Sequence, residues 1–361
     1  FAPPSGWIND PNGLVWHNGE YHLFFQHHPY SNDLGPMHWG HATTHNLLTW
    51  APLAVALYPD HNGVIFSGSA TVDARNSAGF GKDALVAIFT SHDDNNQPIE
   101  RQSIAFSTDG ARTFTKYAEN PVLFPPPNTP DFRDPRVFWY GTPEAGHWGL
   151  VLAAGDEVQF FRSDDLKTWA QTGSFGRGKG AHGGVWECPD LFPLPIAGEE
   201  TPRWVLVVGI NPGGQALGSG TQYFVGSFDG TTFVSENPAE TVLWLDWGAD
   251  AYATQSWENE PNGRRIITSW LNNWHYARQT PTQGWRGSMT IPRELSLRRT
   301  EEGLRLFQQP VPEVATLHGR NWTLAASPVN GESTLAAEPL VAFDLQASFA
   351  GIAADRAGIV L

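Results

Sequence analysis

This sequence has a single cysteine, few basic residues and no long apolar run. Its 361 residues include one cysteine, Cys188, so an internal disulfide bond is impossible. Lysine and arginine number 22 against 37 aspartates and glutamates, and the resulting formal net charge of −15 repels nucleic acid and anionic membrane surfaces. The chain has no apolar run of about 18 residues, which excludes an apolar transmembrane helix. We therefore expect neither nucleic acid nor membrane as a partner.

The sequence also lacks a recognisable secretory signal peptide. It starts at Phe1 rather than at methionine, so we expect that an upstream segment has been removed or left out of the numbering. Because export signals occupy such upstream segments, we predict a secreted or periplasmic location in preference to the cytoplasm.

Short, strongly apolar runs recur along the chain. Each has six to eight residues and is rich in β-branched and aromatic side chains, which favours strands over helices. The five runs are YHLFFQ (21–26), ALVAIFTS (84–91), WGLVLAAG (148–155), RWVLVVGI (203–210) and RIITSWL (265–271). Their starts are roughly 55 to 64 residues apart, a period typical of propellers rather than solenoids.

Two further features repeat in step with these runs. A polar turn followed by an aromatic residue occurs in HNLLTW (45–50), STDGARTF (107–114), SDDLKTW (163–169) and SFDGTTF (227–233). Another strand-like segment precedes each apolar run, in NDPNGLVW (9–16), FSGSATVD (66–73), RDPRVFWY (133–140), ECPDLFPL (187–194) and DAYATQSW (250–257). Three series repeated in register predict an all-β fold, a five-bladed β-propeller of about four strands per blade over residues 1–310.

The pattern changes after the fifth blade. From residue 317 onward strand-like alternation returns without the blade signals. We interpret 317–361 as the N-terminal part of a β-sandwich domain, apparently truncated because too few strands remain to close a sandwich.

Three of the segments that precede the apolar runs have an acidic residue directly before, or one residue before, a proline. The first strand of each blade lines the central channel of a propeller, so Asp10, Asp134 and Glu187 are predicted to face one another at one end of the axis. The alternative is that each acid is a turn or capping residue of its own blade. Two carboxyl groups that flank a glycosidic bond are the minimum equipment for its hydrolysis, one ionised and one holding a proton.

The surroundings of the three acids suggest how their pKa values differ. Asp10 lies among amide and backbone donors that stabilise a carboxylate, whereas Glu187 lies beside Trp186, Cys188 and Pro189, an apolar neighbourhood expected to raise its pKa. Arg133 precedes Asp134 and is expected to keep it charged. A fixed anion there suits a developing oxocarbenium ion.

The sequence resembles glycoside hydrolase family 32, the β-fructofuranosidases, which include invertases, exo-inulinases, levanases and related fructosyltransferases. The matching segments are WINDPNG (7–13), FFQ (24–26), MHWGHA (37–42), FSGSA (66–70), FRDP (132–135), WECPDLF (186–192), GTQYFVGSFDG (220–230), DWGADAYA (246–253) and WRGSMTIPRELSL (285–297). The family's fold is a five-bladed propeller followed by a β-sandwich, which agrees with the repeats.

The resemblance implies a role for each matching residue. Asp10 corresponds to the nucleophile, Glu187 to the acid/base and Asp134 to the transition-state stabiliser that binds fructose hydroxyls. The residues implied to shape the fructose pocket or its leaving-group side are Asn9, Gln26, Trp39, Phe66, Ser67, Arg133, Asp250 and Trp285. The expected activity is exo-acting, retaining hydrolysis of terminal β-D-fructofuranosides in sucrose, inulin or levan, with carboxyl groups about 5–5.5 Å apart.

Other interpretations remain open at this point. A fructosyltransferase would use the same acids with a sugar in place of water, and a non-catalytic, sugar-binding propeller would not need all three acids. A histidine cluster, His27, His28, His38 and His41, suggests a zinc site but lacks the ligand spacing of known motifs. We therefore expect no metal and no cofactor, and we expect Cys188 to pack beside Glu187 rather than act as a nucleophile.

Overall fold

The structure is a computed structural model that describes residues 1–93, 99–129, 131–334, 342–351 and 358–359. The chain divides into two compact units, Phe1–Val311 and Pro312–Leu361. No helix in the described ranges has the length and apolarity needed to cross a membrane.

The strands of the first unit form five sheets. The first sheet contains β1 (Gly6–His17), β2 (Glu20–His28), β3 (His38–Thr44) and β4 (Ala51–Pro52). The second contains β5 (Val64–Asp73), β6 (Ala84–Asp93), β7 (Ile99–Ser107) and β8 (Thr115–Lys116). The third contains β9 (Phe132–Gly141), β10 (Gly146–Ala154), β11 (Glu157–Ser163) and β12 (Ala170–Phe175).

The remaining two sheets follow the same plan. The fourth contains β13 (Val185–Leu194), β14 (Arg203–Asn211), β15 (Gly220–Phe228), β16 (Phe233–Ser235) and β17 (Leu243–Trp244). The fifth contains β18 (Tyr252–Ser256), β19 (Ile266–Trp270), β21 (Arg293–Thr300) and β22 (Gly303–Pro310), while β20 (Trp285–Arg286) joins the first sheet. The predicted five-bladed, all-β propeller is confirmed, and the five apolar runs fall on the second strand of each blade.

The five blades close into a ring through their first strands. β1 contacts β5, β5 contacts β9, β9 contacts β13, β13 contacts β18, and β18 returns to β1. The N-terminal segment contacts the chain between the strands of the fifth blade and so helps to close the ring. β20 pairs in parallel with β1, and the backbone N–H of Met289 donates to the carbonyl of Phe1 at 2.7 Å. The first strands therefore surround the axis, as the sequence predicted.

Apolar side chains fill the spaces between neighbouring blades. One cluster, for example, joins the third and fourth blades through Phe138, Val151, Trp186 and Phe224, all buried. Comparable clusters lie between the other adjacent blades. The second strand of a blade is covered on both faces, so it needs apolar side chains on both, which explains its nearly continuous apolar sequence.

Each first strand carries a break in its pairing with the second strand near its start. The pairing register shifts between Ile8 and Pro11 in β1 and between Ile65 and Gly68 in β5. Equivalent shifts occur in β9, β13 and β18. Such bulges turn side chains away from the regular alternation of a strand and are common beside functional sites. The predicted site residues of the first strands lie at the first four of these breaks, and none lies at the break in β18.

In the second unit the described residues contain a short 3-10 helix, Pro312–Leu317, and no strand. The interpretation of 317–361 as the start of a β-sandwich domain therefore stays a prediction. Part of that segment, 335–341, 352–357 and 360–361, lies outside the described residues.

Candidate active site

The bulges bring two sets of equivalent residues to one end of the propeller axis. We name the residues at the start of the bulge the first tier: Asn9, Phe66, Arg133, Glu187 and Tyr252. The residues that follow them form the second tier: Asp10, Ser67, Asp134, Cys188 and Ala253. Three second-tier residues have left-handed backbone conformations, with φ of 64° at Asp134, 50° at Cys188 and 53° at Ala253. Such φ values are uncommon for non-glycine residues, so the surrounding structure must hold them.

Hydrogen-bond donors surround the carboxylate of Asp10. The hydroxyl of Ser67 donates to its Oδ2 at 2.6 Å, and the side-chain amide of Asn9 donates to its Oδ1 at 3.0 Å. Asn9 is itself oriented by Trp7, whose indole N–H donates to the amide oxygen at 2.7 Å. Donors directed at both oxygens hold the carboxyl group in one orientation, and the ionised form of such a group can attack as a nucleophile.

Cys188 connects the acids of three blades. Its Sγ lies 3.5 Å from Oδ2 of Asp10 and 3.4 Å from Oδ2 of Asp134. Its backbone N–H also donates to Oδ2 of Asp134 at 2.8 Å, and Glu187 is the preceding residue. A small cavity lined by residues of all five first strands includes Ser67, Asp134 and Cys188. The three predicted acids therefore lie in one cluster, although 124 and 53 residues separate them along the chain.

Glu187 receives one donor on each carboxyl oxygen. Arg133 Nη2 lies 3.0 Å from Oε1, and the phenol of Tyr252 donates to Oε2. Burial raises the pKa of Glu187, and the nearby charge of Asp10 adds to the increase, whereas Arg133 and Tyr252 act in the opposite direction. The net effect is a raised pKa, which suits a general acid.

Asp134 is the most enclosed of the three acids, with 6% of its surface exposed. Burial, helped by the charges of Asp10 and Glu187, raises the pKa of Asp134 to about 7. Arg133 lowers it, as expected from the sequence, but this contribution is smaller than that of burial. The expectation that Arg133 keeps Asp134 charged is therefore wrong below neutral pH, because the local sequence does not reveal how deeply Asp134 is buried.

The guanidinium of Arg133 contacts several carboxylates of this acidic cluster. Its Nη2 contacts Glu187, and its Nη1 contacts Asp131 at 2.7 Å and Glu100 at 3.1 Å. Its side chain is 13% exposed. Because this guanidinium is shared among three carboxylates, it does not offset the burial that raises the pKa of Glu187 and of Asp134.

Gln26, Trp39 and Phe66 lie at the edge of this cluster. The side-chain amide of Gln26 donates to the carbonyl of Ile65, and the indole of Trp39 donates to the carbonyl of Phe66, both at 3.0 Å. Phe66 stacks on His92 with ring centroids 4.2 Å apart. These contacts fix the backbone that leads into Ser67.

Asp250 and Trp285 have other neighbours. The phenol of Tyr276 donates to Asp250, two positions before Tyr252 in the chain. Trp285 lies on β20 opposite Gly6 and is 37% exposed. Their predicted part in binding substrate stays a prediction.

The histidine cluster does not converge on one point. The Nδ1 atoms of His27, His28 and His38 face the carbonyls of Trp7, Asp33 and Pro36, respectively, each at 2.8 Å. His41 contacts His22 at 3.0 Å instead. Across the described ranges, no group of three or more histidine, cysteine or acidic side chains has the arrangement of a metal site.

Tyr252, Glu100 and the link formed by Cys188 were not predicted from the sequence. A signal for Tyr252 was present, because aligning YATQSW (252–257) with ECPDLF (187–192) places it at the position of Glu187. Glu100 had no such signal, since it lies on β7, outside the repeated segments that carry the acids.

Carboxyl groups from different blades, with donors on one and a raised pKa on another, are the equipment of a glycoside hydrolase. Comparison with known proteins specifies the class further. Residues 1–310 match the description "Glycosyl hydrolases family 32 N-terminal domain". The chain therefore belongs to glycosyl hydrolase family 32.

Relatives of known name support this assignment. The chain is 49% identical to the levanase of Bacillus subtilis, over 97% of this chain and 52% of that protein. It is 42% identical to the extracellular exo-inulinase of Aspergillus niger, over 86% of this chain and 63% of that protein. The crystal structure of the exo-inulinase from Aspergillus awamori superimposes with a TM-score of 0.80 at 41% identity, covering 86% of this chain and 66% of that one. The chain thus spans about half to two thirds of the length of these relatives.

Proposed function

We propose that this chain is the catalytic part of a retaining, exo-acting β-fructofuranosidase. Its substrates would be terminal β-D-fructofuranosides, as in sucrose, inulin and levan. One observation carries the proposal: Cys188 Sγ lies within 3.5 Å of both Asp10 and Asp134, and Glu187 is the adjacent residue. This arrangement supports the proposal that acids from three blades contact a single sugar.

In the proposed mechanism, Asp10 attacks the anomeric carbon of fructose while Glu187 transfers its proton to the departing glycosidic oxygen. The C–O bond to the leaving sugar breaks, and an ester forms between fructose and Asp10. Glu187, now ionised, then removes a proton from water, whose oxygen attacks the same carbon and releases Asp10. Two displacements retain the anomeric configuration, and we predict a carboxyl separation of about 5–5.5 Å.

The other residues would hold the sugar during both steps. We propose that Asp134 accepts hydrogen bonds from fructose hydroxyls and stabilises the oxocarbenium-like transition state. Asn9, Gln26, Trp39, Phe66, Ser67 and Arg133 would shape the fructose pocket, and Asp250 and Trp285 would lie toward the leaving-group side. The names of the relatives, levanase and exo-inulinase, favour fructan chains as substrates.

Two proposals concern the protein beyond the propeller. Residues 317–361 would open a β-sandwich domain, which is supported by the family's fold and by the greater length of the relatives. A location outside the cytoplasm is supported by relatives named extracellular exo-inulinases.

Release of fructose from sucrose, inulin and levan by the purified chain tests the activity. We expect Asp10→Asn and Glu187→Gln each to lower kcat by several orders of magnitude, because each removes a group that takes part in bond making or breaking. Asp229→Asn, at an exposed turn, is the matched control and should match the wild type. A fructoside with a good leaving group should partly restore the Glu187 variant alone.

The same assay separates the alternatives. Oligosaccharides of increasing length, formed from sucrose in place of free fructose, would show a fructosyltransferase. Binding of fructose without product from any substrate would show a sugar-binding module. Equal rescue of both variants would contradict the assigned roles.

A further inference from the structure

The backbone around Asp134 lacks the partners that a regular strand would give it. In the pairing of β9 with β10, Arg133 lies opposite Ala153 and Arg136 opposite Val151, so Asp134 and Pro135 are skipped. Asp134 also has a φ of 64°. Buried backbone groups at such a break need hydrogen-bond partners from elsewhere, and the left-handed conformation needs support.

Side chains of the neighbouring second blade supply those partners. The N–H of Asp134 donates to the hydroxyl oxygen of Thr90 at 3.0 Å. The carbonyl of Pro135 accepts a hydrogen bond from the hydroxyl of Ser69 at 2.9 Å. The bulge of the third blade is thus held by side chains of the second blade.

Gln102 extends this support across Arg133. The hydroxyl of Thr90 donates to Oε1 of Gln102 at 2.8 Å, and Nε2 of Gln102 donates to the carbonyl of Phe132 at 2.8 Å. Thr90 and Gln102 have no exposed surface. Together they bind the backbone immediately before and immediately after Arg133, so they restrain both Arg133 and Asp134.

We propose that Thr90 and Gln102 are positioning residues for the reaction, which hold Asp134 in its left-handed conformation and aim its carboxylate at the sugar. The inference rests on the proposed function of Asp134. Each residue acts through the backbone and need not touch the substrate. A buried N–H and a buried amide oxygen would lose their partner if the Thr90 hydroxyl were removed, so the bulge would relax toward other conformations.

Three variants test this role in the whole chain. Thr90→Val keeps the shape but removes the hydroxyl, and we expect kcat on sucrose to fall about 100-fold, the effect of a small misplacement of a catalytic group, with KM changed less than about threefold. Thr90→Ser keeps the hydroxyl and should stay within about threefold of the wild type. Ser91→Ala is the matched control: it removes a neighbouring buried hydroxyl, which pairs with Ser103 at 2.8 Å and points to the opposite face of β6. Thermal unfolding checks that each variant is folded at the assay temperature.

A double-mutant cycle distinguishes positioning from a general effect on the fold. If Thr90 acts through Asp134, adding Thr90→Val to Asp134→Asn should lower kcat no further than Asp134→Asn does alone. If the two substitutions lower kcat by factors that multiply, the inference is overturned. It is also overturned if kcat of Thr90→Val lies within threefold of the wild type, or if kcat of Thr90→Ser is as low as that of Thr90→Val. Wild-type kcat in Asp134→Asn alone would instead refute the proposed function of Asp134, and with it the basis of this inference.

Discussion

Replacing Tyr252 by phenylalanine removes a single hydroxyl from the proposed acid/base. In the structure this phenol donates to Oε2 of Glu187, and the bond favours the ionised carboxylate. Tyr252 has 1% of its surface exposed, so water cannot readily replace the lost donor. Burial also raises the pKa of the Tyr252 phenol well above its usual value, and it therefore remains a donor over the whole working range of pH.

The expected result is a higher pKa for Glu187. A hydrogen bond to a charged group contributes about 1.5–3 kcal/mol, and each pKa unit corresponds to about 1.4 kcal/mol. Tyr252→Phe should therefore raise the pKa of Glu187 by about 1 to 2 units. Glu187 must be protonated to act as a general acid, so activity should persist to higher pH in the variant.

The measurement is kcat/KM on sucrose as a function of pH, whose alkaline limb reports loss of the proton from the free enzyme's acid. The limb should move upward by about 1 to 2 pH units in Tyr252→Phe. In Tyr21→Phe, which removes a 2.8 Å bond from another buried tyrosine to Glu260, it should not move. An unchanged or lowered limb in Tyr252→Phe would refute the assignment of Glu187 as the group that this phenol controls.

Three other substitutions have distinct expected outcomes. Ser67→Ala removes the 2.6 Å donor to Asp10 and should lower kcat/KM about 10- to 100-fold, as measured by initial rates; a change below twofold would contradict it. Asp134→Asn should raise the free energy of unfolding at pH 8 by at most about 4 kcal/mol but not at pH 3, as measured by urea titration. The reason is that a pKa raised to about 7 makes the folded state bind more protons than the unfolded state, so stability falls as pH rises from about 4 to 7. Asp190→Ala breaks a buried 2.9 Å ion pair with Arg136 and should lower the free energy of unfolding by about 3–5 kcal/mol while the folded fraction keeps its kcat; a selective loss of kcat would assign Asp190 to the chemistry instead.

The propeller could be predicted because its strand series repeat five times in register. All five blades have a first strand with a polar break followed by an apolar second strand, and four of them add a turn before an aromatic residue. Asp10, Asp134 and Glu187 stood out because each lies one or two positions before a proline in the first strand of its blade, although Glu187 belongs to the first tier and the other two to the second. A hydrophobic period defines a strand locally, and repetition then defines how the strands are arranged around the axis.

Two features of the site could not be predicted in the same way. Thr90 and Gln102 lie within or beside apolar strands, and their partners in β9 are 44 and 30 residues away along the chain. The pKa of Asp134 depends on burial by five strands, whereas the sequence displays only the adjacent Arg133. Both are properties of the closed ring, because they arise only when blades distant in sequence become neighbours.

The high pKa of Asp134 has a consequence for the proposed mechanism. A pKa of about 7 favours the protonated form of Asp134 at lower pH, yet stabilising an oxocarbenium ion requires an anion there. Fructose hydroxyls that donate to Asp134 would favour its ionised form, because hydrogen bonds to a carboxylate lower its pKa. Ionisation of Asp134 would in turn strengthen the repulsion that raises the pKa of Glu187. Binding the sugar would therefore lower the pKa of Asp134 and raise that of Glu187. The proton would then reside on Glu187, the residue that must donate it.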